Sequence, residues 1–392
     1  MARSGMPDTY IGREQAYIKH TILKAYLARL FMIIGQGKEP VINYVDCFAG
    51  PWQEEDKALR DTSIGISLEQ MASCQQGLRE RFGGNVRFRA LYIEEDIAAF
   101  DKLQAFLARQ PNPDIDTTCL HGDYTTLLGD IVAWCGGYFT FFFIDPKGWR
   151  KVVSAETMEP LLQLPKSEFL INLMYDFINR FVGVDRHADD MSALFGEVPD
   201  LDDGTPEDRQ RILLKRYRGE LKKYYQGRSA CVPIMRPGHD RVLYYLVYLT
   251  RHPRGIDVFK TEAQKMEIVQ RITQQECRLR KQIEQDGTAD MFADDAGLPP
   301  QDQMPGDNRL EARACLLPRL SEGPLMIDYD VWADLLEDSD LYPADFQEAM
   351  KQLVEEGLVQ NLDADVSRRR TKIIRPRRAG RSERWVRNPK SG

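Results

Sequence analysis

The 392-residue sequence predicts an α/β fold: a doubly wound parallel sheet covered by helices on both faces, with a helical insertion, followed by a smaller C-terminal α+β unit. Two observations predict it. Strand patterns, four of them short apolar runs, alternate with segments of helical period, as in a sheet buried on both sides. A stretch of aspartates and chain breakers over 286–308 then separates this region from three further helical patterns.

The elements follow in order. Residues 13–34 place Ile18, Ile22, Tyr26, Leu30 and Ile34 four apart, with Lys19, Lys24 and Arg29 off the stripe, which predicts an amphipathic helix. Strands are expected at 41–46 (VINYVD), 88–94, 116–123, 138–145 and 169–175, with helices over 65–82, 97–109 and 155–163 between them. The polar helical stretch from about 186 to 226 reads as an insertion over the carboxyl edge of the sheet. Residues 230–235 and 241–250, joined by a Pro-Gly turn, read as a closing antiparallel pair. A helix from 258 to 285 completes a first domain over 1–285. The acidic linker 286–308 holds six aspartates and no lysine or arginine. Helices at 311–320, 329–337 and 344–356, then strands at 358–362 and 371–375, give a winged-helix-like domain over 309–376 and leave a basic tail, 377–392.

Composition narrows the function classes. Hydrophobic residues make up 43% and charged residues 29%, the balance of a globular chain, and no run approaches the roughly 18 apolar residues of a membrane span. The N-terminal residues lack an apolar core followed by a cleavage site, so no membrane is expected and the expected location is the cytoplasm. Seven scattered cysteines without a CxxC pair fit reduced thiols, and no metal site is expected. The net charge of −7 conceals an asymmetry: residues 366–392 carry eleven basic groups and one acid, against a strongly acidic remainder. Arg368, Arg369, Arg370 and Lys372 on the expected wing are candidates for nucleic-acid phosphates. A solvated terminus, or one docked on the acidic body, is the alternative.

In an open parallel sheet, ligands sit at the carboxyl ends of the strands near the switch point, so the residues after each strand are the candidates. The first strand delivers Asp46-Cys47-Phe48-Ala49-Gly50-Pro51, where a glycine admits close backbone approach. The second ends in Glu94, placed for the hydroxyls of a ribose, and the third in Asp123-Tyr124, suited to an adenine amine and a flanking ring. The fourth delivers Asp145-Pro146-Lys147-Gly148-Trp149, where the reacting group would lie. Lys147 either holds an anionic group of the substrate or points to solvent. Neither G-x-G-x-x-G nor G-x-x-x-x-G-K-[ST] is present, and acids at strand ends suit a cationic nucleoside better than a pyrophosphate.

VDCFAGPW resembles the first cofactor motif of class I S-adenosylmethionine-dependent methyltransferases, and FIDPKGW a variant of the Asp-Pro motif of amino methyltransferases. Together with GREQAYIKHTILKAYL, DTSIGISLEQM and YYLVYLTRHPRGIDVFK, these segments are similar to the three-Cys-motif partner (TcmP) family, over most of residues 10–390. The resemblance implies a Rossmann-like methyltransferase sheet and a bacterial protein associated with a radical-SAM-like three-Cys-motif protein. It also implies S-adenosylmethionine as cofactor, with Asp46, Phe48, Ala49 and Gly50 around its methionine part, Glu94 on the ribose and Asp123 on the adenine. Asp145, Pro146, Lys147 and Trp149 would serve the acceptor. Lys147 and Gly148 stand where amino methyltransferases carry a proline and an aromatic residue, which argues against adenine as the acceptor. The expected function is methyl transfer to a nitrogen of a nucleic acid or nucleotide-like substrate. The rival reading is a cofactor-binding or specificity subunit without turnover.

Overall fold

The computed structural model describes residues 5–37, 39–50, 59, 61–109, 114–148, 151–201, 205–286, 308–339, 341–363, 371, 373 and 382–388. Two compact units divide it, one spanning Pro7–Arg251 and the other running from His252.

In the first unit, α1 (Glu14–Gly35) precedes β1 (Val41–Asp46), α2 (Ser63–Phe82), β2 (Arg87–Glu94), α3 (Ile97–Leu107), β3 (Ile115–His121), α4 (Leu128–Cys135) and β4 (Phe139–Ile144). Then come α5 (Ala155–Leu162), β5 (Ser167–Leu173), α6 (Tyr175–Phe181), α7 (Ala188–Phe195), α8 (Pro206–Tyr224), β6 (Arg228–Met235) and β7 (Val242–Thr250). The strands form one seven-stranded sheet in the order β3-β2-β1-β4-β5-β7-β6. Strands β1 to β5 run parallel, and β7 lies antiparallel between β5 and β6. The order reverses between β1 and β4, which makes that edge the topological switch point. This is a mixed α/β, Rossmann-like architecture.

Burial explains the strand sequences. Every residue of β1, β4 and β5 is buried, so Tyr44, Phe141, Phe142 and Phe169 pack on both faces and no polar alternation survives. Helix α1 buries Ile18, Ile22, Tyr26 and Leu30 of the predicted stripe, with its last member Ile34 only partly buried, together with Leu23, Leu27 and Phe31. Capping sets the helix starts: the Thr62, Asp96 and Ser154 side chains accept from backbone N–H groups of the first turns of α2, α3 and α5, and Thr205 and Asp208 form a capping box on α8. The insertion between β5 and β6 is helical as expected, though it begins earlier, with α6 at Tyr175. Helix α4 was not foreseen.

The second unit corrects the domain boundary. Helix α9 (Pro253–Asp286), assigned from sequence to the sheet domain, packs instead on α11 (Tyr329–Asp338) and α12 (Pro343–Glu355), and the Trp332 indole donates to Asp257 at 2.9 Å. Ahead of these two helices come α10 (Arg309–Ser321) and β8 (Leu325–Ile327); β9 (Val359–Asn361) and β10 (Glu383–Arg387) follow them, and the three strands pair antiparallel in the order β8-β10-β9. The last strand differs from expectation: Thr371 and Ile373 are not in a strand, and the residues ERWVR of the supposed tail pair in their place around a fully buried Trp385. Arg384 there is tied to Asp363 at 2.8 Å. The linker residues 287–307, together with Arg368, Arg369, Arg370 and Lys372, lie outside the described residues.

No helix among the described residues is long and apolar enough to cross a membrane. All seven cysteines are free thiols, five of them buried.

Candidate functional site

Four strand ends converge on one cavity. It encloses about 410 Å³ and takes lining residues from the ends of β1 (Cys47, Phe48, Gly50 just beyond it), β2 (its last residue Glu94, then Glu95), β3 (Gly122, Asp123, Tyr124) and β4 (Pro146, Lys147, Gly148). Backbone bonds fix these loops beside one another. Ala49 N–H donates to the Ile93 carbonyl at 2.8 Å and Gly122 N–H to the Glu94 carbonyl at 3.0 Å, which carries the sheet pattern past the strands themselves. A volume of this size lies in the range of small-molecule sites, and the walls are largely apolar, with Ile93, Val152 and Phe177 added to the rings of Phe48 and Tyr124.

The predicted residues take distinct places. Glu94 is buried; its Oε1 accepts from Asp96 N–H at 2.8 Å. A Cβ on Gly50 would stand 2.0 Å from Glu94 Oε2, so any side chain here would have to displace this carboxylate. Asp123 Oδ1 accepts from both the N–H and the hydroxyl of Thr125 at 2.8 Å, an Asx turn that commits one oxygen. Tyr124 is buried, its ring 5.1 Å from that of Phe48 and its hydroxyl donating to the Val152 carbonyl. Asp46 and Ala49 are buried and do not line the cavity. Asp46 accepts from Phe48 N–H at 3.1 Å and so shapes the loop, and burial pushes its carboxyl up to about 7. Pro51 and Trp149 lie outside the described residues.

Asp145 stands apart from the other candidates. Its carboxylate does not line the cavity; it pairs with Lys19 of α1 and accepts from Asn172 Nδ2 at 2.6 Å. Burial raises this carboxyl, but the Lys19 ammonium and the hydrogen bonds from Lys19 and Asn172 outweigh it and hold it below the usual range. Lys19, placed from sequence on the solvent side of its helix, has a side chain only 12% exposed. Periodicity alone could not reveal this, because the partner carboxylate lies 126 residues away. Asn172, Val152 and Phe177 were likewise missed, since each sits in an ordinary strand or helix pattern with no motif around it.

No protein-family model matches the sequence, and no curated protein is detectably similar. Solved structures of similar shape include a putative methyltransferase, yhhF, from Escherichia coli (13% identity, 58% of this chain and 85% of that one, TM-score 0.27). Two others are human methyltransferase-like protein 13 in complex with SAH (11%, 65% and 92%, TM-score 0.31) and a SAM-dependent methyltransferase from Anabaena variabilis (12%, 55% and 78%, TM-score 0.24). Likeness at this level fixes no function.

Proposed function

We propose that the chain is an S-adenosylmethionine-dependent methyltransferase acting on a nitrogen of a nucleic acid or nucleotide-like substrate. The observation that carries this reading is the cavity at the switch point, where Glu94 and Asp123 bring carboxylates to a mostly apolar cleft with no glycine-rich phosphate loop. The residues present suit a nucleoside with a cationic side group. Glu94 keeps Oε2 for ribose hydroxyls, Asp123 keeps its second oxygen for an amine, and the rings of Phe48 and Tyr124 flank the space between. The cofactor, when bound, supplies an electrophilic methyl group. The chain's own part is to orient the acceptor and exclude water, and Pro146 and Lys147 on the β4 side stand where an acceptor would enter.

Calorimetric titration of the full chain with S-adenosylmethionine and S-adenosylhomocysteine tests this. Binding is expected for both, with Gly50→Leu weakening it about tenfold or more by displacing the Glu94 carboxylate. Absence of binding by the folded wild-type chain would overturn the assignment.

A second reading is favoured by Asp145: its carboxylate is already held by Lys19 and Asn172 and is not free for an acceptor amine. A TcmP-like subunit that binds the cofactor and gives specificity to a radical-SAM-like three-Cys-motif protein needs no such group. Binding without methyl release onto any nucleic acid would favour it. In either reading, the C-terminal unit acts as a winged-helix-like module with a basic segment that contacts phosphates. Its affinity for oligonucleotides should then fall with salt, by roughly 0.7 to 0.9 logarithmic units per tenfold rise in salt for each phosphate neutralised.

A further inference from the structure

Next to the cavity, two arginines pair with one carboxylate, and a third lies beside the adjacent Tyr175. Asp176, in the first turn of α6 just past β5, is 4% exposed and pairs through Oδ2 with Arg180 Nη2 at 2.9 Å and through Oδ1 with Arg241 Nη2. The two guanidinium groups therefore lie side by side on one carboxylate, while their side chains are 50% and 49% exposed. Arg209 joins them from α8. Its neighbour Gln210 accepts from the Tyr245 hydroxyl at 3.0 Å, and the Tyr245 ring stands edge-on to Tyr175, 5.4 Å away, directly beside Asp176. The Arg209 Nε is buried without a hydrogen-bond partner.

These groups come from three separate elements: α6, α8 and the turn into β7. One carboxylate is shared by two of the three guanidinium groups, and guanidinium forks match the oxygens of a phosphate. The connection to the cavity is direct, since the Arg180 guanidinium lies 5.6 Å from the centroid of the Phe177 ring, and Phe177 lines the cavity wall.

The geometry points to Arg180, Arg209 and Arg241 as a phosphate subsite of the substrate, at the rim of the cavity on its β5 side. This rests on the cavity being the cofactor site. It sets the substrate class: a molecule whose phosphate is anchored here while the group to be modified reaches past Phe177 to the mouth at Pro146 and Lys147. A mononucleotide and a nucleic-acid strand share that chemistry. Asp176 holds the two outer forks in place before the phosphate arrives and competes with it for them.

The test uses the full chain with saturating S-adenosylhomocysteine, titrated with thymidine, with its 5′-monophosphate and with an oligothymidylate of about ten residues. The nucleoside should not bind, and at least one phosphate-bearing probe should. Binding of the monophosphate assigns a nucleotide, and binding of the oligomer alone assigns a strand. Arg180→Ala and Arg241→Ala should each weaken the probe about tenfold, leaving S-adenosylhomocysteine unaffected. Asp176→Asn, which frees both forks, should tighten the probe several-fold, and Arg241→Ala in that background should reverse the gain; a merely structural cluster would not strengthen binding when its carboxylate is neutralised. No binding of either phosphate probe by the wild type overturns the subsite. So does unchanged affinity in folded arginine variants. If S-adenosylhomocysteine alone fails to bind while the phosphate probes respond to these substitutions, the cofactor reading falls and the arginine subsite stands.

Discussion

Asp46 and His20 sit close to the same Lys19–Asp145 pair and are shifted in opposite directions. Burial pushes the Asp46 carboxyl up to about 7 and the His20 imidazole down to about 3. The stability contributed by neutral His20 is present above its unfolded value near 6.5 and is lost as pH falls toward 3. That contributed by neutral Asp46 is present below about 4 and is lost as pH rises through 7. Between about pH 4 and 6.5 the folded chain holds one proton on this pair, and so does the unfolded chain, on the other group. Their contributions therefore cancel, and stability should be nearly flat with pH as far as these two groups determine it. Asp46→Asn unmasks the histidine, so stability should rise by about 1.4 kcal/mol per pH unit across that window; His20→Gln should make it fall at the same rate. Urea denaturation at stepped pH reads both slopes, and parallel wild-type and variant curves would refute the coupling. The Lys19–Asp145 pair makes a separate prediction. Its side chains are only 12% and 20% exposed, so Asp145→Ala strands an ammonium and should cost on the order of 2 to 3 kcal/mol, while cofactor affinity changes little because Asp145 is outside the cavity.

Helix α1 is fastened to the sheet by a buried carboxylate. Glu168 of β5 accepts from the hydroxyls of Tyr26 at 2.7 Å, Tyr248 at 2.9 Å and Thr250 at 2.8 Å, joining α1, β5 and β7. Glu168→Ala removes the acceptor that three buried hydroxyls share and should destabilise the chain by roughly 3 kcal/mol, whereas Glu168→Gln keeps an acceptor and should cost about 1 kcal/mol. Thermal and urea unfolding of the two variants distinguish them, and equal losses would mean that packing, not the hydrogen bonds, matters here. The elements legible in the sequence were those with length or uniform burial. Strand β1 matches its expected limits of 41 and 46 because a mostly apolar run, broken only by Asn43, ends on Asp46, and α1 because five positions of its stripe repeat four apart. Helix α4 buries only Ile131 and Cys135, one turn apart, so no period could emerge. Strand β10 was hidden because Glu383, Arg384 and Arg387 give it the composition of a tail, although Trp385 at its centre is fully buried.

Among the described residues, all those lining the cavity fall within Pro7–Arg251, which is also one compact unit. A fragment ending at Arg251 should therefore fold and bind S-adenosylhomocysteine within about twofold of the full chain, as read by calorimetry, while losing whatever nucleic-acid affinity the C-terminal unit supplies. A fragment that folds but does not bind would mean that the second unit completes the site. The strand ends of the site were legible because a parallel sheet must present them along one edge, whatever the helices do. What escaped was every group contributed from across the chain, Lys19 to Asp145 above all, because spacing along a sequence carries no information about a partner on another element.

The reversed strand β7 has a consequence for how the chain is made. Strand β5 ends at Leu173, yet the neighbour that satisfies its outer edge, β7, begins only at Val242, after the whole helical insertion. During synthesis, the five parallel strands can assemble while β5, all of whose residues end up buried, still offers an open row of backbone donors and acceptors to any passing strand. Until Thr250 has left the ribosome, that edge is the most aggregation-prone surface of the nascent chain, and slow or interrupted translation within the insertion should lower the soluble yield more than the same delay placed after β7.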